Sequence, residues 1–266
     1  MAELPNTPTI TALTMMCVAF VAVFAVVIRM YIQYSRRKRN AALMIAVSFT
    51  FWGFAAMATF IGALLQYIYA PVAGEIQFSR YGINLGYAFS ALSNIFMVLF
   101  VSEIFSRFPV FRRTQKTIPI INGILNGVTI GLIVNAFVES ANATDPTEYL
   151  NPAYPIPQTV YHLILTFISF TFLLVFSARA RNQATLRWEK AGFGFIIWTS
   201  ITGICVYLSF VLDLVVQDIW PAVFGSGYTQ FNNLGWLFAI AMVNIAYIGF
   251  FMPNWIRERY KAMEEN

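Results

Sequence analysis

Seven long apolar runs, near residues 9–34, 41–69, 82–107, 118–139, 158–180, 191–217 and 232–252, dominate the chain. A helix rises about 1.5 Å per residue, so roughly 20 residues cover the ~30 Å of a bilayer's hydrocarbon. Each run is that long. Charged residues make up only 11% of the 266, against roughly a quarter in soluble domains. Runs of this length and polarity predict an all-α, polytopic membrane protein rather than a soluble core. Most exceed the minimum, so tilt or protrusion is expected.

Lys and Arg set the orientation. Arg36, Arg37, Lys38 and Arg39 separate segments 1 and 2; Arg107, Arg112, Arg113 and Lys116 separate 3 and 4. Arg179, Arg181, Arg187 and Lys190 flank the junction of 5 and 6, and Arg257, Arg259 and Lys261 follow segment 7. The opposite side holds Arg80 together with Glu3, Glu75, Glu139, Asp145, Glu148 and Asp218. The positive-inside rule therefore predicts an outside N-terminus and a cytoplasmic C-terminus in a multi-pass protein of the cell membrane. The first segment lacks a basic n-region and is too long for a cleavable signal peptide. The net charge of +5 is spent on this topology, which argues against nucleic acid as a partner; the bilayer itself is the expected one.

Three short strings occur twice in the same order. Tyr34 to Asn40 (Y-S-R-R-K-R-N) is echoed by Phe176 to Asn182 (F-S-A-R-A-R-N), and Gln66 to Gly74 (Q-Y-I-Y-A-P-V-A-G) by Gln217 to Gly225 (Q-D-I-W-P-A-V-F-G). Asn84 to Phe89 (N-L-G-Y-A-F) returns as Asn233 to Phe238 (N-L-G-W-L-F). Segments 1–3 thus match segments 5–7, with segment 4 unpaired. The domain layout expected is a membrane domain over 1–252, a short amphipathic tail over 253–266, and two parallel repeats (9–107 and 158–252) joined by a linker helix at 118–139. Parallel repeats of this kind occur in transporters, where the site lies near the midplane between the halves. Gly123, Gly127 and Gly131, spaced by four, suit close helix contact; packing within the bundle is expected, and a protein interface is the alternative.

The repeat singles out Asn94 in segment 3 and Asn244 in segment 7, each followed by Ile at similar depth. A buried amide must find hydrogen-bond partners, and equivalent amides in related halves are expected to face each other. Trp52 and Trp198, in segments 2 and 6, are the expected apolar walls. This plan resembles the SWEET sugar facilitators, which also have seven helices in 3+1+3 order, an outside N-terminus and paired Asn and Trp residues at a central site. Pro157-Gln158 resembles the related PQ-loop motif, whereas segments 1, 2 and 6 lack that family's hinge prolines. The resemblance implies a solute site lined by Asn94, Asn244, Trp52 and Trp198.

Other chemistries lack their residues. Segment 7 has no Lys for a retinal Schiff base, and His162 is the only His, too few for facing haem ligands or a zinc site. No phosphate loop, nucleophile elbow or acidic pair appears, so neither an enzyme nor a cofactor is expected. Cys17 and Cys205 lie inside segments 1 and 6, placed as small buried hydrophobes rather than as metal ligands. Glu103 is expected to pair with Arg107 one turn on. Asp213 and His162 are accessory candidates, each with a plain structural alternative. Tyr67, Tyr69, Tyr81, Tyr87, Trp220, Tyr228 and Trp236 are expected to form an interfacial belt. Asn142 opens an N-A-T glycosylation triplet in the longest external loop.

Pro253 should break the last helix. Beyond it Ile256, Tyr260 and Met263 define a short amphipathic helix, suited to the membrane surface or to a cytoplasmic partner contacting residues 255–266. The function expected is facilitated transport of a small solute. The alternatives are a sensor or receptor subunit and a structural subunit of a membrane complex, with a homo-oligomer allowed in each case.

Overall fold

The computed structural model describes residues 8–73, 76–145, 148–153, 156–219 and 228–265. Within them the chain is helical: α1 (Ile10–Arg37), α2 (Asn40–Ala73), α3 (Phe78–Ile104), α4 (Pro109–Thr114), α5 (Thr117–Asn142), α6 (Ile156–Gln183), α7 (Arg187–Ile219), α8 (Gln230–Phe251) and α9 (Asn254–Glu265). Seven of these, all but α4 and α9, are long and apolar enough to cross a membrane, as a multi-pass membrane protein requires. The end of the bundle where α1 begins is called the N-side below; the opposite end, next to α9, is the C-side.

Local chemistry sets the helix ends. Thr9 caps α1 by accepting from the Ala12 N–H, a side-chain oxygen satisfying an orphan donor of the first turn. Lys38 closes α1 in the left-handed region (φ 51°) and donates its N–H to the Tyr34 carbonyl, so α2 starts at once. Met252 turns the chain at φ 33° after α8. Pro253, which has no N–H to continue the ladder, separates α8 from α9 as expected. The short α4, opened by Pro109, was not anticipated; at six residues it is too brief for a periodic signal.

The membrane helices follow chain order around a closed ring. α2 packs between α1 and α3, α7 between α6 and α8, and the ring closes where α1 meets α8. α3 also touches α5 and α6, which places it innermost. Close approach is built by glycine between α2 and α3. A Cβ added to Gly62 would meet Gly82 Cα at 2.7 Å, and one added to Gly86 would meet Thr59 Oγ1 at 2.8 Å. These backbones touch because no side chain intervenes.

The glycines of α5 do something different. A Cβ at Gly123, Gly127 or Gly131 would meet nothing within 4 Å. The stripe expected to pack inside the bundle faces outward, and α5 instead buries its polar edge of Asn122, Asn126 and Thr129. The reason is enthalpic: amides are costly in hydrocarbon unless paired, so they claim the interior face. Glu103 accepts from Gln115 Nε2 at 3.3 Å, and the expected pairing with Arg107 does not form. Cys17 and Cys205 are free and half-buried. The second copy of the Q-D-I-W-P string lies mostly at 220–225, and with Glu3, Glu75, Trp220 and the side chains of Asp218 and Met263 it falls outside the described residues.

Candidate functional site

A chain of buried polar side chains crosses the bundle near mid-depth. Trp52 on α2 donates its Nε1–H to the Tyr207 hydroxyl on α7 at 3.2 Å. That hydroxyl lies 2.7 Å from Ser90 Oγ on α3. Ser90 Oγ is 3.1 Å from His162 Nε2 on α6, and Thr166 Oγ1, one turn further along α6, is 3.5 Å from the same nitrogen. Asn94 on α3 donates through Nδ2 to Thr166 Oγ1 at 2.8 Å and to Asn126 Oδ1 on α5 at 3.3 Å. Asn122 donates to the Asn94 carbonyl at 3.3 Å, and Asn126 donates back to Asn122 at 2.9 Å. Five helices are thereby tied by buried side chains, where each bond carries more weight than at a surface.

Above this network, on its N-side, lies a cavity of about 160 Å³ among α2, α3, α6, α7 and α8, with Met16 of α1 also at its wall. Trp52, Ser90 and Tyr207 form its polar floor, and Ala56, Leu163 and Val206 are among its apolar walls. Trp236 and Asn232 also line it. The Trp236 Nε1 donor and the Asn232 Oδ1 acceptor are both buried without a hydrogen-bond partner. Buried polar atoms are nearly always satisfied, so an unpartnered donor and acceptor on one cavity mark it as a place for a ligand group.

Asp213 borders the same cavity. Its Oδ1 accepts from the Thr229 backbone N–H at 2.8 Å and from Thr229 Oγ1 at 2.6 Å. Thr229 is the N-cap of α8 and accepts in turn from the Phe231 N–H. Asp213 thus fastens the end of α7 to the start of α8.

A second cavity, about 680 Å³, lies at the C-side among α2, α3, α7, α8 and α9. Ile45, Phe100, Ile196 and Phe250 form its apolar depth, and Arg39, Glu189 and Arg257 its charged margin. Arg257 lies over the Trp188 ring at 4.4 Å, a cation–π contact. Packed side chains separate the two cavities: Phe49 and Phe100 are buried and both meet the Phe250 ring edge-on, at 6.3 and 5.1 Å between centroids. Ser48 Oγ, 2.9 Å from the Ser93 carbonyl, joins α2 to α3 at this level.

The expected site residues divide sharply. Asn94 (2% exposed) and Trp52 (7%) are interior and belong to the network. Asn244 is exposed on the outside of α8, and its Nδ2 folds back onto the Ile240 carbonyl at 2.8 Å. Trp198 is 58% exposed on α7. Neither meets its supposed counterpart, because α8 turns Asn244 and α7 turns Trp198 to the outside of the bundle. His162 is fully buried and bonded to Ser90, its ring 5.1 Å from that of Tyr87. Trp236, expected in the interfacial belt, is buried at the cavity, whereas Tyr67 and Tyr69 are exposed. Asn142 is exposed at the end of α5, its amide bonded to the Val138 carbonyl. Tyr207, Ser90, Thr166, Asn122 and Asn126 went unremarked in the sequence, although Asn122 and Asn126, one turn apart on an apolar helix, signal a buried polar edge. No family model, characterised protein or solved structure matches the chain.

Proposed function

We propose that the protein is a facilitative transporter of the cell membrane, carrying a compact, neutral solute along the seam between α2–α3 and α7–α8. The observation that carries this is a pair of cavities, one toward each end of the bundle, on that same seam. What separates them is short: Ile45 to Trp52 on α2 and Ser90 to Phe100 on α3 correspond to about 10–15 Å of helix. Rocking of one half against the other exposes each cavity in turn. The helix neighbours support such halves. α2 sits between α1 and α3 as α7 sits between α6 and α8, and the sets meet through α1–α8 and α3–α6, the pairings that a twofold axis along the membrane normal interchanges. The Lys and Arg distribution supports an outside N-side.

The N-side cavity suggests the solute. At about 160 Å³ it matches the ~150 Å³ engineered cavity that holds benzene. Its mostly apolar walls, with Trp236 Nε1 and Asn232 Oδ1 unpartnered, suit an apolar body bearing one acceptor and one donor. Flux of such solutes into proteoliposomes tests the proposal. Ala56→Phe, which fills the cavity, should abolish flux that the unaltered protein supports; absence of flux across a broad panel of small neutral solutes would refute transport.

A sensor that signals through α9 is the second reading, favoured by one feature: Arg257 of α9 borders the C-side cavity and stacks on Trp188 of α7. In that case a partner co-purifies with the full chain and is lost on truncation at Pro253, and no solute is transported.

A further inference from the structure

The outward face of α8 carries a pattern that solute binding does not use. Gln230, Leu234, Leu237, Ala241, Asn244 and Ile248 recur at alternating spacings of four and three. Leu234 is 38% and Leu237 53% exposed, Gln230 and Asn244 are exposed, and Ala241 and Ile248 are half-buried. One face of one membrane helix therefore presents a seam with the 3.5-residue period that packs helices in a left-handed pair. Near its centre stands an amide. Asn244 is 14 residues into the 22-residue α8, within about 5 Å of the helix midpoint, so it lies in the hydrocarbon. The Ile240 carbonyl takes one of its N–H groups; the other N–H and the Oδ1 have lipid before them, and hydrocarbon offers neither donor nor acceptor.

From this geometry we infer that α8 is the interface with a second copy of this chain, in a parallel, twofold pair in which Asn244 bonds to Asn244 of the other copy. A second copy fits because the amide is self-complementary, one Oδ1 accepting what the other Nδ2 donates. Two copies inserted alike are necessarily parallel, so identical positions of the seam meet. A lone Asn at a seam position is the device that fixes register in such pairs. The glycine stripe of α5, on another face of the bundle, runs on into an exposed amide, Asn135, but that amide already donates to Glu139 Oε1 at 2.8 Å, one turn further along the same helix.

Cross-linking in native membranes tests the interface. With Cys17 and Cys205 replaced by Ala, a single cysteine at Leu237→Cys, Ala241→Cys or Ile248→Cys should give oxidised dimers, and Val128→Cys on α5 should not. Adding Asn244→Ala to Leu237→Cys should weaken association roughly tenfold, the size of an interhelical hydrogen bond of ~1.4 kcal/mol. Asn244→Gln, which keeps the amide, should retain it. Both substitutions lie on an outward face and leave the packing of the bundle intact. Absence of dimers at all three α8 positions, dimers from Val128→Cys in their place, or indifference to Asn244→Ala would overturn the inference.

Discussion

Trp52 and Tyr207, 155 positions apart in the chain, meet at the floor of the N-side cavity, where the indole Nε1–H donates to the phenolic oxygen at 3.2 Å. Trp52 comes from α2, which packs between α1 and α3, and Tyr207 from α7, which packs between α6 and α8. The same phenol contacts Ser90, so one hydroxyl joins α2, α3 and α7.

Removing that hydroxyl should therefore cost more than one bond. Tyr207→Phe keeps the ring and strands Trp52 Nε1, while Ser90 keeps His162 alone as a side-chain partner. Leaving a buried donor unsatisfied costs about 1–3 kcal/mol. A lowered midpoint of thermal unfolding in detergent, followed by tryptophan fluorescence, is the expected outcome; an unchanged midpoint would show that the network does not hold the helices.

The two tryptophans paired by sequence position should behave oppositely. Trp52→Ala removes a buried indole and its hydrogen bond, a loss on the order of 3–5 kcal/mol. Trp198→Ala trims a side chain that is 58% exposed on the outside of α7 and should fall within about 0.5 kcal/mol of the unaltered protein. Parallel thermal denaturation of the two variants decides the matter, and similar losses would contradict the facing assigned to Trp198.

Two glycines of membrane helices should likewise differ. Gly62→Ala drives a methyl to 2.7 Å from Gly82 Cα and 2.8 Å from the Phe78 carbonyl. Both obstacles are backbone and cannot rotate away, so α2 and α3 must part, at about 1–3 kcal/mol. Gly127→Ala meets nothing and replaces glycine by the best helix former, so the fold should gain slightly. Unfolding in denaturant-titrated micelles would separate the signs.

Asp213 predicts a local effect. Its carboxylate takes both the N–H and the hydroxyl of Thr229. Asp213→Ala should accelerate hydrogen exchange at Thr229 and in the first turn of α8, leaving α3 and α6 unchanged. Asp213→Asn, which keeps an acceptor oxygen, should restore most of the protection. Equal exchange in all three proteins would remove Asp213 as the fastening of α8.

Hydropathy made the number and extent of the membrane helices legible, because only long apolar runs satisfy both bilayer thickness and backbone hydrogen bonding. It could not show which face of each helix turns inward. In lipid a leucine is equally at home outside and in, so the leucines and other apolar residues of α8 do not mark its inward face. Asn94 and Asn244 therefore looked equivalent in the sequence, one ending in a five-helix network and the other on the outside. The cavity was harder still to foresee: Ser90 and Tyr207 become a floor only once α3 and α7 are set side by side. Asn122 and Asn126 were the one legible clue to facing, since two amides a turn apart in hydrocarbon must share a buried edge.

The polar network draws members from α2, α3, α5, α6 and α7, and of the seven membrane helices skips α1 and α8, which are neighbours in the ring. The bundle thus resembles a bracelet riveted along most of its circumference and merely pressed together at the clasp. Apolar side chains such as Met16, Ala19 and Val23 on α1 and Ala239, Val243 and Ala246 on α8 pack in the common core, and such contacts slide and part without leaving a stranded donor. The first membrane helix and the last can therefore shift against each other without breaking any bond of the central network.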